Sequence, residues 1–168
     1  NDKRDIEREF LEAYDRHADE IFRYLFFRLP GAEAAEDLTQ ETFLRAWRSI
    51  AEGKKFDNLR AFLYRVARNL TVDFYRKKKE TSLEEVMEGG FEPSEGRQRS
   101  DDFLEWERVH TLLLSIEERQ RDAVVLRFLG ELSVKEIAAA TDSAETLVSV
   151  RIHRGLKKLR KLLNEQNN

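Results

Sequence analysis

Residues 132–163 read LSVKEIAAATDSAETLVSVRIHRGLKKLRKLL. Ser133 and Glu136 have the spacing of a capping box, in which each side chain satisfies the other residue's free backbone N–H at a helix start. Ile137 and Ala138 follow as inward positions of a very short helix, from Val134 to about Thr141. Asp142-Ser143 breaks it, and Asp can take the left-handed backbone that such a turn asks for. A longer helix then turns Val148, Ile152, Leu156, Leu159 and Leu163 inward at spacings of three and four. This is the layout of a helix-turn-helix: the first helix braces a second, whose N-terminal half fits a major groove about 12 Å wide. The outer face of the second helix presents Thr146, Ser149, Val150, His153, Arg154 and Lys157. From residue 151 to 161 there are six basic residues and no acid. Arg and Lys there can meet phosphates or guanine edges, and Ser, Thr and His can hydrogen-bond to either. A plain solvated face, with cations favoured near its C-terminus by the helix dipole, fits the same residues.

The helical character extends over the rest of the 168 residues. Only 7 Gly and 2 Pro are present, too few for a sandwich or barrel with many tight turns, and no segment alternates with a strand's period. Upstream, Phe103, Trp106, Val109, Leu112, Leu113 and Ile116 form one apolar stripe. Ser115-Ile116-Glu117-Glu118 reads as a capping box for the next helix, which ends near Leu129-Gly130. Further upstream, Ile6, Phe10, Leu11, Tyr14, Ala18, Ile21, Phe22, Leu25 and Leu29 predict an amphipathic helix from about Arg4 to Arg28, stopped by Pro30-Gly31. A second runs from about Ala32 to Ile50, with Ala35, Leu38, Phe43, Ala46, Trp47 and Ile50 inward. Asp57 or Asn58 caps a third. Its stripe is Leu59, Phe62, Leu63, Val66, Ala67, Leu70 and Phe74, and it ends in Arg76-Lys77-Lys78-Lys79. Between the two helical groups, Gly89-Gly90, Pro93-Ser94, Gly96 and many Glu give the composition of a linker. Within it, Ser82-Leu83-Glu84-Glu85 has the form of a capping box for one helical turn. The fold class is therefore all-α: two small helical domains, residues 1–79 and 105–168, joined by an acidic flexible linker, 80–104.

The formal net charge of −3 is a cancellation. Residues 1–53 carry −5, 54–79 carry +7, 80–118 carry −9 and 119–168 carry +4. Each positive block sits on a helix of a different domain, which is how an electrostatic footprint for phosphates can hide behind an acidic mean. There is no Cys, which removes disulfides, thiolate metal sites and cysteine nucleophiles together. His17, His110 and His153 are isolated and lack metal-ligand spacing. No metal, cofactor or catalytic residue is expected, and the chain reads as a non-enzyme. No long apolar run or secretory signal is visible, which predicts a cytoplasmic protein without membrane insertion, and Asn1 in place of Met suggests a processed start.

Two further surfaces stand out. The third helix has an outer face of Arg60, Tyr64, Arg65, Arg68, Asn69, Asp73 and Arg76, with Phe56 and Tyr75 beside it. Rings that stack on bases, and cations that track a backbone, suit single-stranded nucleic acid. Tyr64 closing the core, with the Arg residues paired to acids of the first helix, is the alternative. The second helix carries Asp37, Gln40, Glu41 and Leu44 on one face. Leucine and aromatic side chains ringed by carboxylates suit a basic partner helix. Acid–base chemistry or metal binding by those carboxylates finds no converging partner residue.

Four stretches, in order, resemble the extracytoplasmic-function group of the bacterial RNA polymerase sigma-70 family: residues 35–47 (AEDLTQETFLRAW), 62–70 (FLYRVARNL), 118–127 (ERQRDAVVLR), and 132–138 with 151–159 (LSVKEIA and RIHRGLKKL). The resemblance implies sigma domain 2 over residues 1–79 and sigma domain 4 over 105–168. It implies docking on the β′ clamp helices of core RNA polymerase through Asp37, Leu38, Gln40, Glu41, Leu44 and Trp47. It assigns Phe56, Asn58, Arg60, Tyr64, Arg68, Asn69 and Arg76 to promoter DNA at the −10 element, read as melted strand. It assigns Thr146, Ser149, Val150, His153, Arg154 and Lys157 to the −35 duplex, with domain 4 also packing on the β flap. An anti-sigma factor is the further partner it implies. The acidic linker would thread towards the active-site cleft and RNA exit channel, mimicking nucleic acid, or serve only as a solvated tether.

One region departs from the family's pattern. Asp142-Ser143-Ala144 replaces a Gly-Ile-Ser-like turn, and Leu147, Ser149 and Val150 stand where Thr, a basic residue and Ser are frequent. That removes a phosphate contact and a hydrogen-bonding group, and predicts a −35 preference that is either unusual or weak and supplemented by another factor. Two other classes share the layout: a helix-turn-helix repressor or activator that works without polymerase, and a helical protein–protein adaptor.

Overall fold

The computed structural model describes residues 2–82 and 101–168. Within them lie seven helices and no strand: α1 (Lys3–Arg28), α2 (Ala32–Ala51), α3 (Leu59–Ser82), α4 (Asp101–Leu114), α5 (Glu118–Phe128), α6 (Val134–Thr141) and α7 (Glu145–Gln166). Helical structure extends into both ends of the expected linker. Ser82 is the last residue of α3, and the remainder of its capping box and the acidic centre of the linker lie outside the described residues.

The first unit is the three-helix packing of α1, α2 and α3. Ile21, Leu25, Phe43, Ala46, Leu63 and Ala67 are buried at its centre, at the positions the helical stripes point inward. Asn58 Oδ1 accepts the Ala61 backbone N–H at 3.0 Å, so it is the cap that starts α3. In the second unit α5 packs on both α6 and α7. Gly155 makes the α5–α7 approach possible: a Cβ there would stand 2.8 Å from Val124 Cγ2. Ser133 and Glu136 form the reciprocal capping box at the start of α6. Asp142 ends that helix at φ 50°, ψ 48°, the left-handed turn the sequence asks for.

Several local expectations fail for identifiable reasons. Ser115 does not cap α5; its hydroxyl donates back to Thr111 O at 2.9 Å, and α5 begins after Glu117 with no side-chain cap. Leu11 and Tyr14 of α1 are exposed although they fit its apolar stripe, because α2 and α3 cover a narrower arc than the stripe spans. Trp106 and Val109 are likewise exposed, and Leu113, at the end of α4, and Ile116, just past it, carry the inward packing. Near the chain end Leu162 packs inward and Leu163 faces out, a slip of one residue along α7.

The two units also pack on each other, α1 against α4 and α5, and α3 against α6. His110 stacks on Phe26 with centroids 4.9 Å apart, and Trp106 lies 5.2 Å from Phe27. At the centre of this contact, Arg28, Tyr24 and Asp122 are all buried.

Candidate nucleic-acid interface

All six outward residues of α7 (Thr146, Ser149, Val150, His153, Arg154 and Lys157) are exposed. Val148 and Gly155, on the opposite side, are the buried residues of that helix. The short helix α6 props the start of α7, and Arg151 Nη1 donates to Ser143 Oγ at 3.2 Å, tying the turn to the helix that follows. The rigid presentation of six polar, basic and small apolar side chains on one open helix face is the geometry major-groove reading needs. Leu147 and Val150 leave apolar surface on that face, chemistry that suits a thymine methyl group.

The corresponding face of α3 is divided. Asn58, Asn69 and Arg76 are exposed, and Phe56 is half-buried with its ring 4.4 Å from that of Phe62. Arg76 pairs with Asp73 at 3.2 Å. Arg60, Tyr64 and Arg68 instead lie against the second unit or are covered by it. Arg60 Nε donates to Glu20 Oε1 at 2.8 Å, and its guanidinium also donates to the Gly130 carbonyl and lies 3.8 Å from Glu136. Arg68 Nε meets Asp122 Oδ2 at 3.3 Å. Tyr64 is fully buried, its ring packed edge-on against Tyr24 at 5.5 Å. Its hydroxyl finds no hydrogen-bond partner, and burial raises its pKa above the ordinary phenol value. Gly130 admits this contact, since a Cβ there would stand 3.2 Å from the Tyr64 hydroxyl and 2.9 Å from Leu126 O.

Behind Arg68 lies a buried ionic cluster. Arg28 Nη1 stands 2.5 Å from Asp122 Oδ1 and donates to the Tyr24 hydroxyl at 2.7 Å. That hydroxyl in turn donates to Asp122 at 2.6 Å. Arg28 Nη2 reaches Glu118 at 3.0 Å. Burial opposes the Arg28 charge, but Asp122, with Tyr24 and Glu118, more than offsets it and holds the guanidinium above its ordinary pKa. Burial also pushes the Tyr24 phenol well up. Arg121 is the counterpart within the second unit: it donates to the carbonyls of Leu113, Leu114 and Ile116, closing the end of α4.

On α2, Asp37, Gln40 and Leu44 are exposed, and Leu38, Glu41 and Trp47 are half-buried along the same side. Glu41 is partly occupied by Arg45 at 3.0 Å. Trp47 packs edge-on against Phe10 at 5.2 Å, and Tyr14 packs against Phe43 at 5.0 Å. The exposed Leu11 and Tyr14 thus extend this apolar, acid-rimmed surface onto α1.

Known proteins share this architecture. The sigma-70 region 2 family matches residues 13–81, and the sigma-70 region 4 family matches residues 106–159. The ECF RNA polymerase sigma factor SigW of Bacillus subtilis is 32% identical over 93% of this chain and 89% of its own. This chain is an extracytoplasmic-function sigma factor of the sigma-70 family. The ECF sigma factor BldN of Streptomyces coelicolor is 33% identical over 92% of the chain, which spans 60% of BldN's length. Among solved structures, CnrH in complex with the cytosolic domain of CnrY is 25% identical, with a TM-score of 0.71 over 95% of this chain and 90% of that one. RpoE of Bartonella quintana, solved with the anti-sigma factor NepR, shares the fold at 23% identity, with a TM-score of 0.76 over 94% and 98% of the two chains.

In this sigma factor, sequence reasoning missed two groups of residues. One is the cluster of Tyr24, Arg28, Glu118 and Asp122, whose members come from helices in different units and share no local spacing. The other is a polar hollow of about 360 Å³ beside Asn58 and Arg60. Glu9, Glu12, Arg16 and His17 of α1 line its far side, and the buried His17 Nδ1 has no hydrogen-bond partner. Glu9, Glu12 and Arg16 lie off the apolar stripe of α1, but no local spacing tells that they and the buried His17 meet the loop after α2. Among the described residues no group of His, Asp and Glu forms a metal-binding set, and no helix is long and apolar enough to cross a membrane.

Proposed function

We propose that this sigma factor acts in the cytoplasm as a transcription initiation subunit, binding core RNA polymerase and directing it to specific promoters. It has no catalytic step of its own; it supplies recognition to the polymerase. The α2 face of Asp37, Leu38, Gln40, Glu41, Leu44 and Trp47 docks on the β′ clamp helices, with carboxylates meeting basic side chains around an apolar centre. Phe56, Asn58, Arg60, Tyr64, Arg68, Asn69 and Arg76 take the −10 element as a melted strand, stacking its bases and tracking its phosphates. Thr146, Ser149, Val150, His153, Arg154 and Lys157 read the −35 duplex, and residues 105–168 also meet the β flap. An anti-sigma factor is the partner that holds the protein inactive, as solved relatives carry such partners.

The observation that carries this reading is the open α7 face: six candidate readers, all exposed on one side of a helix braced by a capped helix and a left-handed turn. Run-off transcription with purified core enzyme on a promoter library tests it. Initiation at discrete sites, absent with core alone, is the expected result. No initiation above core from folded protein would sink the reading, and tight binding to a palindromic duplex without polymerase would favour a repressor instead.

A further inference from the structure

We propose that Leu147 and Val150 read two neighbouring thymine methyl groups in the −35 duplex, so that T·A pairs there are chosen by apolar contact. That choice rests on duplex reading by α7 as proposed above, and it adds Leu147 to the six residues assigned to that duplex.

Charge divides α7 into two parts. Its first turns, Glu145 to Val150, carry one acid and no cation, and Asp142 adds a second acid just before them. Every Lys and Arg of the helix lies from 151 to 161. Phosphate contacts therefore belong to the later turns, and the acids repel phosphates from the first ones. Yet in a helix-turn-helix the N-terminal residues of the second helix are the ones that meet base edges. A forked Arg or Lys for guanine and an Asn or Gln for adenine are both missing from Glu145 to Val150. Arg151, the nearest guanidinium, is half-buried and engaged with Ser143 Oγ at 3.2 Å. The hydroxyls of Thr146 and Ser149 bond to a donor or an acceptor alike and discriminate little, and Glu145 suits cytosine.

What remains on the outer side of these turns is aliphatic. Leu147 is 43% and Val150 42% exposed, while Val148 between them is buried at 1%. Three residues apart on one face, they stand about 4.5 Å apart along the helix axis. Successive bases of a strand are about 3.4 Å apart, so the pair matches neighbouring base steps. In the major groove thymine alone offers an apolar group, its C5 methyl. Contact with Leu or Val removes both surfaces from water, and an unmethylated pyrimidine leaves the side chains without a partner. Single exposed aliphatics are ordinary on any surface. These two instead share the turns that face the bases, and the cations that follow them complement a duplex backbone. Leu163, the other large apolar side chain exposed on α7, lies about 20 Å further along the helix, past the last cation.

The test uses the full chain bound to core RNA polymerase and a pool of promoter duplexes randomised over the −35 region. Selection should enrich a site with two adjacent thymines on one strand. Deoxyuridine in place of one thymine removes a methyl and nothing else. Each such change should weaken binding about fourfold, and both together about fifteenfold, the effect of one buried carbon apiece. Leu147→Ala and Val150→Ala should each weaken binding to the thymine duplex by a similar factor and abolish the response to one of the two deoxyuridines. Both side chains are exposed and alanine favours a helix, so the fold is kept, and the deoxyuridine arm needs no variant at all. Leu163→Ala is the control and should change neither readout. Enriched sites without adjacent thymines, or equal affinity for thymine and deoxyuridine duplexes, would overturn the methyl contact and leave duplex recognition by this sigma factor standing. A deoxyuridine response unchanged in both alanine variants would assign the methyls to other side chains and overturn the role of Leu147 and Val150. Enrichment of no duplex above core alone would count against the proposed function, and the methyl contact would fall with it.

Discussion

The outer faces of α7 and α3 carry similar chemistry, arginines and hydrogen-bonding side chains on a regular helix, yet they stand in opposite states. On α7 every candidate reader is exposed. On α3 the candidates split: Asn58, Asn69 and Arg76 face outward, whereas Arg60, Tyr64 and Arg68 meet the second unit or lie beneath it. The difference follows from what each helix needs in order to fold. The inward side of α7 is satisfied by α5 and α6, which leaves its outer side with no structural duty. The outer side of α3 is flanked by a buried Arg28 whose counter-charge comes from α5. A helix face rich in arginine attracts the protein's own acids and carbonyls when nothing else occupies it.

Breaking the open face should produce the largest effect. Gly155→Val puts side-chain atoms where a Cβ is already 2.8 Å from Val124 Cγ2, forcing α7 off α5. Overpacking of this kind costs about 1–3 kcal/mol. Urea denaturation should show that loss, and binding to −35 duplex should fall with it. Arg154→Ala comes next. Arg154 is exposed and its removal leaves the fold alone. Loss of a phosphate contact should weaken binding to all duplexes alike and lower the salt slope by about 1, whereas loss of a base contact should cost about 1–3 kcal/mol at one position of the site. A salt titration on two duplexes separates the two outcomes, and unchanged binding in both would remove Arg154 from the interface.

How far the sequence foretold this contrast depended on the distance over which each feature is encoded. The Ser133–Glu136 box, the Asn58 cap and the left-handed Asp142 are each specified within a few residues, and each is in place. The Ser115 box has the same pattern and does not form, since its hydroxyl has a nearer acceptor in the preceding turn. Periodicity placed the centres of the stripes correctly and their edges poorly: Leu11, Tyr14, Trp106, Val109 and Leu163 all fit a stripe and all lie exposed. The covered half of α3 was beyond reach for a different reason. Tyr24 and Asp122 are 98 residues apart, and Arg68 and Asp122 are 54 apart. Nothing in the spacing along either helix says which acid will answer which arginine. The charge blocks point the other way: Asp122 lies in residues 119–168, a block of net +4, so the local acid is hidden by its basic neighbours.

The brace of the open face supplies a smaller effect. Ser133→Ala removes the acceptor for the Glu136 N–H and should cost about 1 kcal/mol, visible as a lower urea midpoint. Because α6 also carries Ala139, whose carbonyl holds Arg65, the same change should loosen the contact with α3 slightly. Ser133→Asp keeps a capping acceptor and should recover most of the loss. If it does not, the hydroxyl has a role beyond the cap.

The smallest effect, and the one that most sharpens the comparison, is a coupling. Arg68 has two opposed duties if the α3 face binds a strand: it contacts the strand when the units separate, and it holds Asp122 when they close. Arg68→Ala removes both, so its net effect on single-strand affinity should be muted in the wild-type chain. In an Asp122→Ala background only the first duty remains, and the same substitution should weaken binding by several-fold more. Asn69→Ala provides the control, since Asn69 is exposed and takes no part in the closure; its effect should be the same in both backgrounds. A double-mutant cycle resolves differences down to a few tenths of a kcal/mol between independent sites. Equal losses for Arg68→Ala in the two backgrounds would mean that Arg68 contributes nothing to holding the units together, and the contrast between α3 and α7 would then reduce to one of burial alone.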